Sequence, residues 1–165
     1  MKTFIVAAMS ADGFIAKNRD EASTSWTSKA DKKHFIALTK KAGVIVMGAK
    51  TYETFGAQPL AGRRNIIYSL DVEYEGVETT TEPPEQLLLR LEREGVSEVA
   101  ICGGASIYTL FLDNNLVDKL YLTVEGVIFG QGLNLLSKNL PRQLSLVSLN
   151  KIGDNTVLLE YDLIK

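Results

Sequence analysis

Apolar residues come in short bursts along the chain, and their period changes from its first two thirds to its last. Residues 4–9, 44–47 and 99–102 are unbroken apolar runs of strand length, the pattern of strands buried on both faces. Residues 29–41 instead place Phe35, Leu38 and Ala42 on one helical stripe. Lys40 and Lys41 suit the negative end of that helix dipole, and Gly43 predicts its stop. Residues 64–69 predict another strand. Pro83-Pro84 opens a helix over 85–94 that turns Leu87, Leu88 and Leu91 inward and closes at Gly95. Ile107, Leu110 and Phe111 mark a helix over 106–112. Beyond it Leu120, Leu122 and Val124 alternate with Tyr121, Thr123 and Glu125, as in a strand with two unlike faces. Strands over 144–150 and 156–163 flank Gly153-Asp154-Asn155, a hairpin turn. Strand–helix alternation with an antiparallel end predicts an α/β fold: a mostly parallel central sheet with an antiparallel C-terminal hairpin edge, flanked by about four helices.

Composition narrows the function without choosing it. The 165 residues fit one domain, and 45% hydrophobic with 23% charged residues is an ordinary globular balance. A net charge of −2 gives no basic surface for nucleic acid or an anionic membrane. No apolar run approaches the ~20 residues of a membrane span, and the amino terminus lacks a signal-peptide pattern, so a cytoplasmic location is expected. One cysteine, Cys102, and one histidine, His34, leave no disulfide and no zinc constellation to propose. Cys102 ends an apolar run and reads as a buried, inert thiol. His34 reads as a surface residue.

Two strand–glycine–helix corners carry the candidate chemistry. Val99-Ala100-Ile101-Cys102 runs into Gly103-Gly104 and then a helix; Val44-Ile45-Val46-Met47 runs into Gly48 and then Lys50-Thr51-Tyr52-Glu53. A turn without side chains lets a ligand approach, and the unpaired N–H groups of a helix start favour an anion. Either corner alone is equally a plain turn; the pair suggests a ligand with several phosphates, such as a dinucleotide. Asp31 and Phe35, four residues apart, share a helix face. They form either a clamp for a flat heterocycle or, for Asp31, a simple partner of the helix dipole. Trp26 is either a packing residue or a lid aromatic. Arg63 and Arg64, after Pro59-Leu60-Ala61-Gly62, are either solvated or placed to grip a carboxylate. The polar stretch 17–25 is the segment expected to move.

Taken in order, these pieces resemble dihydrofolate reductase over roughly residues 3 to 125. The matching pieces are Ala7-Ala8-Met9, Trp26 with Lys29-Ala30-Asp31, Phe35, Val46-Met47-Gly48 and Lys50-Thr51-Tyr52-Glu53. The run from Pro59 to Ile67, then Cys102-Gly103-Gly104 through Ile107-Tyr108, and Leu120-Tyr121-Leu122-Thr123 complete them. The resemblance implies that Asp31 binds the 2-amino group and N3 of a pterin and helps route a proton to N5. It further implies that Thr123 supports Asp31 and that Trp26 positions a water. Phe35, Phe55 and Leu60 would wall the substrate, Arg63 would hold its α-carboxylate, and Ala8 would lie between substrate and nicotinamide. For NADPH it implies contacts from Ile15, Gly48, Ala49, Lys50, Thr51, Ser69, Cys102, Gly103, Gly104, Ala105, Ser106, Ile107 and Tyr108. Ala49 stands where the family usually has an arginine for the 2′-phosphate, which leaves that charge to Lys50. Lys32 replaces a generally apolar residue, Ala105 replaces a third glycine, and the 17–25 loop is longer than usual.

A second resemblance competes. Residues 10–16 and 127–133 resemble the riboflavin-pathway pyrimidine reductase domain, which shares the fold and NADPH but implies a ribosylamino-pyrimidine substrate and a ligand contact from Asp12. The expectation is a monomeric or homodimeric, NADPH-dependent oxidoreductase that reduces 7,8-dihydrofolate to tetrahydrofolate in one-carbon metabolism, without a metal. The alternatives are the pyrimidine reductase and a non-catalytic nucleotide-binding module.

Overall fold

The computed structural model describes residues 1–165. Its eight strands form one sheet, numbered in chain order: β1 (Lys2–Ser10), β2 (Val44–Gly48), β3 (Arg64–Tyr68), β4 (Glu78–Thr80), β5 (Glu98–Ile101), β6 (Lys119–Glu125), β7 (Leu144–Gly153) and β8 (Thr156–Leu163). The spatial order is β4-β3-β2-β5-β1-β6-β8-β7. The strands from β4 to β6 pair in parallel, and β8 and β7 complete the sheet antiparallel. This is the predicted α/β architecture.

Four helices cover the sheet: α1 (Lys29–Ala42), α2 (Ala49–Thr54), α3 (Pro84–Arg93) and α4 (Ala105–Asp113). The strand period decides which side each covers, because alternate residues point to opposite faces. Phe4, Val6, Ile45, Met47 and Ile67 pack on one face with Tyr52 of α2 and with Phe35, Leu38 and Ala42 of α1. Ile5, Ala7, Val44, Val46 and Ile66 pack on the other with Leu87, Leu88 and Leu91 of α3 and Phe111 of α4. The apolar runs have no polar face because both faces are covered.

α1 is bounded as its residues require. The Ser28 hydroxyl accepts the Asp31 N–H at 3.1 Å, while Gly43 at φ 74° returns its N–H to the Thr39 carbonyl at 3.1 Å. No atom lies within 4 Å of where a Gly43 Cβ would stand, so Gly43→Ala tests backbone strain alone. It is expected to lower unfolding stability by about 1 kcal/mol, read from the urea midpoint.

The short strand β4 lies outside the sequence expectation. Glu78-Thr79-Thr80 has no apolar run to announce it; it pairs with β3 on a sheet edge, where Glu78 and Thr79 are half-buried and only Thr80 is buried. No helix is long and apolar enough to cross a membrane.

Candidate functional site

The topology brings the two glycine corners together. β5 inserts between β2 and β1, so the chain reverses strand order there, and crevices form at the carboxyl ends of strands around such a switch. The Gly48 N–H donates to the Gly103 carbonyl at 2.8 Å, and the Cys102 N–H to the Val46 carbonyl at 2.8 Å. A cavity of about 880 Å³ opens over this junction.

One end of the cavity suits an anion. α4 begins at Gly104 with no side-chain cap, so its first N–H groups face the opening. Gly103 has φ 105°, and a Cβ there would stand 2.9 Å from the Tyr108 hydroxyl. A Cβ on Gly104 would meet Thr51 Oγ1 at 3.0 Å. An added Cβ would thus crowd this corner, and Gly48, Ala49, Lys50, Thr51, Cys102, Gly103, Gly104, Ala105, Ser106, Ile107 and Tyr108 all line the one cavity. Tyr108 is locked by donating its hydroxyl to the Val6 carbonyl of β1 at 2.9 Å. Burial pushes the Cys102 thiol up to about 12, so it stays protonated and unreactive at neutral pH. Lys50 Nζ reaches Asp20 of the 17–25 loop at 2.7 Å, an exposed pair across the cavity mouth.

The other end is built around Asp31, which is 9% exposed. Burial raises its carboxyl above the usual carboxylate range, and the negative charge of Glu125 adds to this; Thr123, Thr27 and His34 pull the other way. Phe35, Phe55, Leu60 and Arg63 line the same cavity, with Ala8 and Ile15 toward the glycine corners. Arg63 donates Nη1 to Thr39 Oγ1 at 2.8 Å and Nε to the Ala61 carbonyl at 3.2 Å, which orients the guanidinium and leaves Nη2 without a protein acceptor. Lys32, which stands where the resemblance implies an apolar residue, also lines the wall.

Trp26, Ser69 and His34 lie elsewhere than expected, whereas Thr123 stands behind Asp31. Thr123 is buried beside Asp31 but does not line the cavity. Trp26 does not line it either: its ring packs edge-on against Phe129 at 5.0 Å, with the indole N–H buried and unpartnered by protein. Ser69 closes its own turn, donating to the Val72 carbonyl at 2.6 Å and accepting the Val72 N–H at 3.2 Å; Tyr68 takes its place in the wall. His34 is half-buried rather than on the surface, 6.0 Å from the Tyr121 ring, because that face of α1 packs on β6.

Asp12 binds protein, not the cavity. Its carboxylate accepts the Ser10 hydroxyl at 2.6 Å, the Phe129 N–H at 3.1 Å and the Gly130 N–H at 2.7 Å. This clasps the turn after β1 to the segment that follows β6. Ile15 N–H to Leu133 carbonyl at 2.9 Å and Leu133 N–H to Ala16 carbonyl at 2.8 Å continue the clasp. Gly132 is required there, since a Cβ would fall 2.3 Å from the Ala16 carbonyl oxygen. Gly132, Leu133, Asn134, Leu136 and Ser137 thereby enter the cavity wall, which no spacing within one element could have indicated.

Comparison with known proteins follows this geometry. The sequence profile of the dihydrofolate reductase family matches residues 2–130. The chain belongs to the dihydrofolate reductase family. Among curated relatives of this oxidoreductase family, dihydrofolate reductase type 3 of Salmonella typhimurium is 36% identical over 121 residues, covering 72% of this chain and 68% of that protein. Among solved structures, dihydrofolate reductase from Enterococcus faecalis complexed with NADP(H) superposes with a TM-score of 0.75 at 20% identity, covering 99% of this chain and 97% of that one. A pyrimidine reductase-like protein from Corynebacterium diphtheriae superposes with a TM-score of 0.82 at 18% identity, covering 99% and 92%. At such identities both superpositions establish the fold alone. β7 and β8 lie beyond the stretch that the family profile matches.

Proposed function

We propose that this member of the dihydrofolate reductase family reduces 7,8-dihydrofolate with NADPH. The observation that carries the reading is Asp31, a carboxyl at the cavity wall whose burial favours its protonated form, together with Phe35 and Arg63 in the same cavity. A pterin presents a planar face and a row of N–H donors, and its glutamate tail presents a carboxylate. Asp31 would hold the 2-amino group and N3, Phe35 would stack on the ring, and Arg63 would pair with the tail. The cofactor suits the opposite end: two glycine corners where an added Cβ would crowd Ile107, Tyr108 or Thr51, and an uncapped helix start for its pyrophosphate. When bound, NADPH supplies the hydride. The chain's own part is to align the two rings, keep water from the reacting face and hold a proton at the Asp31 carboxyl for transfer toward N5.

A second reading, reduction of a ribosylamino-pyrimidine, is favoured by the wall that residues 132–137 build, since the part of the chain resembling pyrimidine reductases leads into it. NADPH oxidation followed by absorbance with each substrate separates the two. Turnover with dihydrofolate and not with the pyrimidine is expected; the reverse overturns the folate reading.

With Ala49 where the family usually has an arginine, Lys50 would supply the charge for the 2′-phosphate. Lys50→Ala is expected to weaken NADPH by about tenfold and NADH by much less, read by fluorescence titration. Equal losses would show that Lys50 does not touch that phosphate.

A further inference from the structure

Asp31 is not the only acid buried at the start of α1. Glu125, the last residue of β6, is 4% exposed, and both oxygens of its carboxylate are engaged. Oε1 accepts the Ser28 N–H at 2.7 Å, and Oε2 accepts the Thr156 hydroxyl at 2.8 Å. Thr156 Oγ1 also lies 3.1 Å from Ser28 Oγ, the atom that caps α1 by accepting the Asp31 N–H. Strands β6 and β8 and the first turn of α1 are thus pinned at one carboxylate, two hydrogen bonds from the backbone of Asp31 by way of Ser28.

The charge at this position is more than the hydrogen bonds need. A glutamine would keep one oxygen for the Ser28 N–H and turn its NH2 toward Thr156 Oγ1, which can accept as well as donate. A carboxylate holds both partners while facing Asp31, and like charges in a partly dry site favour the protonated form of one of them. Glu21 lines the same cavity and Glu160 acts on His34, but Glu125 is the acid whose charge bears on Asp31 itself. β6 contributes Thr123 and Glu125, the segment before α1 contributes Thr27, α1 contributes His34 and α4 contributes Tyr108. Lys32 and Arg63 line the same cavity with the opposite charge. Burial lowers His34, which holds its imidazole toward the neutral form.

We propose that Glu125 is the positioning residue of the Asp31 acid, seating its helical turn through Ser28 and Thr156 and setting a second negative charge beside it. Its catalytic consequence rests on the dihydrofolate reading above; the coupling of the two acids does not. Glu125 would act on the reaction only through Asp31, never by touching substrate.

The test separates those two levels. In the full chain labelled with carboxyl-¹³C aspartate, Asp31 is titrated by NMR in the unsubstituted protein and in Glu125→Gln, and NADPH oxidation with dihydrofolate is followed from about pH 5 to about pH 9. In Glu125→Gln the Asp31 midpoint is expected to fall by about one pH unit. The alkaline decline of kcat should move with it, so turnover at pH 7 drops up to about tenfold while KM for NADPH holds. An unmoved Asp31 midpoint overturns the proposal. Should dihydrofolate prove not to be the substrate, the NMR titration still decides the coupling. Should Glu125→Gln fail to fold, Glu125→Asp decides instead. It keeps the charge but shortens the reach to Ser28, so the Asp31 midpoint stays and kcat falls severalfold; an unchanged kcat overturns the positioning role.

Discussion

Asp31→Asn is expected to lower turnover of dihydrofolate at pH 7 by about 10²-fold or more while NADPH affinity stays within about twofold. The two ends of the cavity rest on different elements: the glycine corners on Gly48 and Gly103, and the acid on α1. Asparagine can still orient a heterocycle but holds no transferable proton. Burial raises the Asp31 carboxyl, so the reaction should be fastest at acid pH and decline as pH climbs through that raised value. The variant's residual rate should lose this dependence. Stability runs in the same direction. A carboxyl raised by folding favours the folded state below its ordinary range and loses that contribution as pH rises through the folded value. Asp31→Asn should therefore melt higher than the unsubstituted protein at neutral pH, with the gap closing in acid. Full turnover at pH 7 in this variant would reject Asp31 as the acid.

The second large effect is expected at the β5 corner. Gly103→Ala puts a Cβ on a residue with φ 105°, 2.9 Å from the Tyr108 hydroxyl. Strain at such a backbone costs about 1–3 kcal/mol. Relief of the contact requires Tyr108 to leave the Val6 carbonyl, which strands a buried acceptor on β1 and adds about 1–3 kcal/mol. The expected result is a loss of at least about 2 kcal/mol in urea unfolding, with NADPH binding weakened more than about tenfold. Gly95→Ala is the control: its φ is 84°, but nothing lies within 4 Å of the added Cβ. It should cost only the backbone strain and leave NADPH binding intact. Similar losses in the two variants would show that the Tyr108 contact is unimportant.

The parts of the fold legible in the sequence are those whose burial is symmetric. β1, β2 and β5 read directly because covered faces demand continuous apolar runs, and the α1 stripe read because one helix face meets the sheet. β4 was hidden by the opposite circumstance, an edge position that accepts Glu-Thr-Thr. β6 was legible as a strand but not in its meaning. Its alternation marked Thr123 and Glu125 as a polar face, which ordinarily meets water; here that face packs under the first turn of α1, and both are buried. Only tertiary structure could convert a solvated pattern into a pair of buried polar groups beside Asp31. His34 was misplaced for the same reason. Ser69 followed from family correspondence, and the local turn with Val72 redirected it. Asp12 was legible as one of two alternatives, a ligand contact or a turn residue, and its bonds to Phe129 and Gly130 are of the second kind.

The stitching of residues 11–16 to residues 127–133 has an evolutionary implication. The stretch recognised by the family profile stops at residue 130, yet the cavity rim continues through Ser137. A carboxyl-terminal portion exchanged beyond residue 130 would remodel the rim and leave the two glycine corners intact, provided it returned a hydroxyl to Glu125 in the place of Thr156. Such a division makes the scaffold a natural starting point for chimeras, in which one module is kept for redox chemistry and another is swapped to choose the guest.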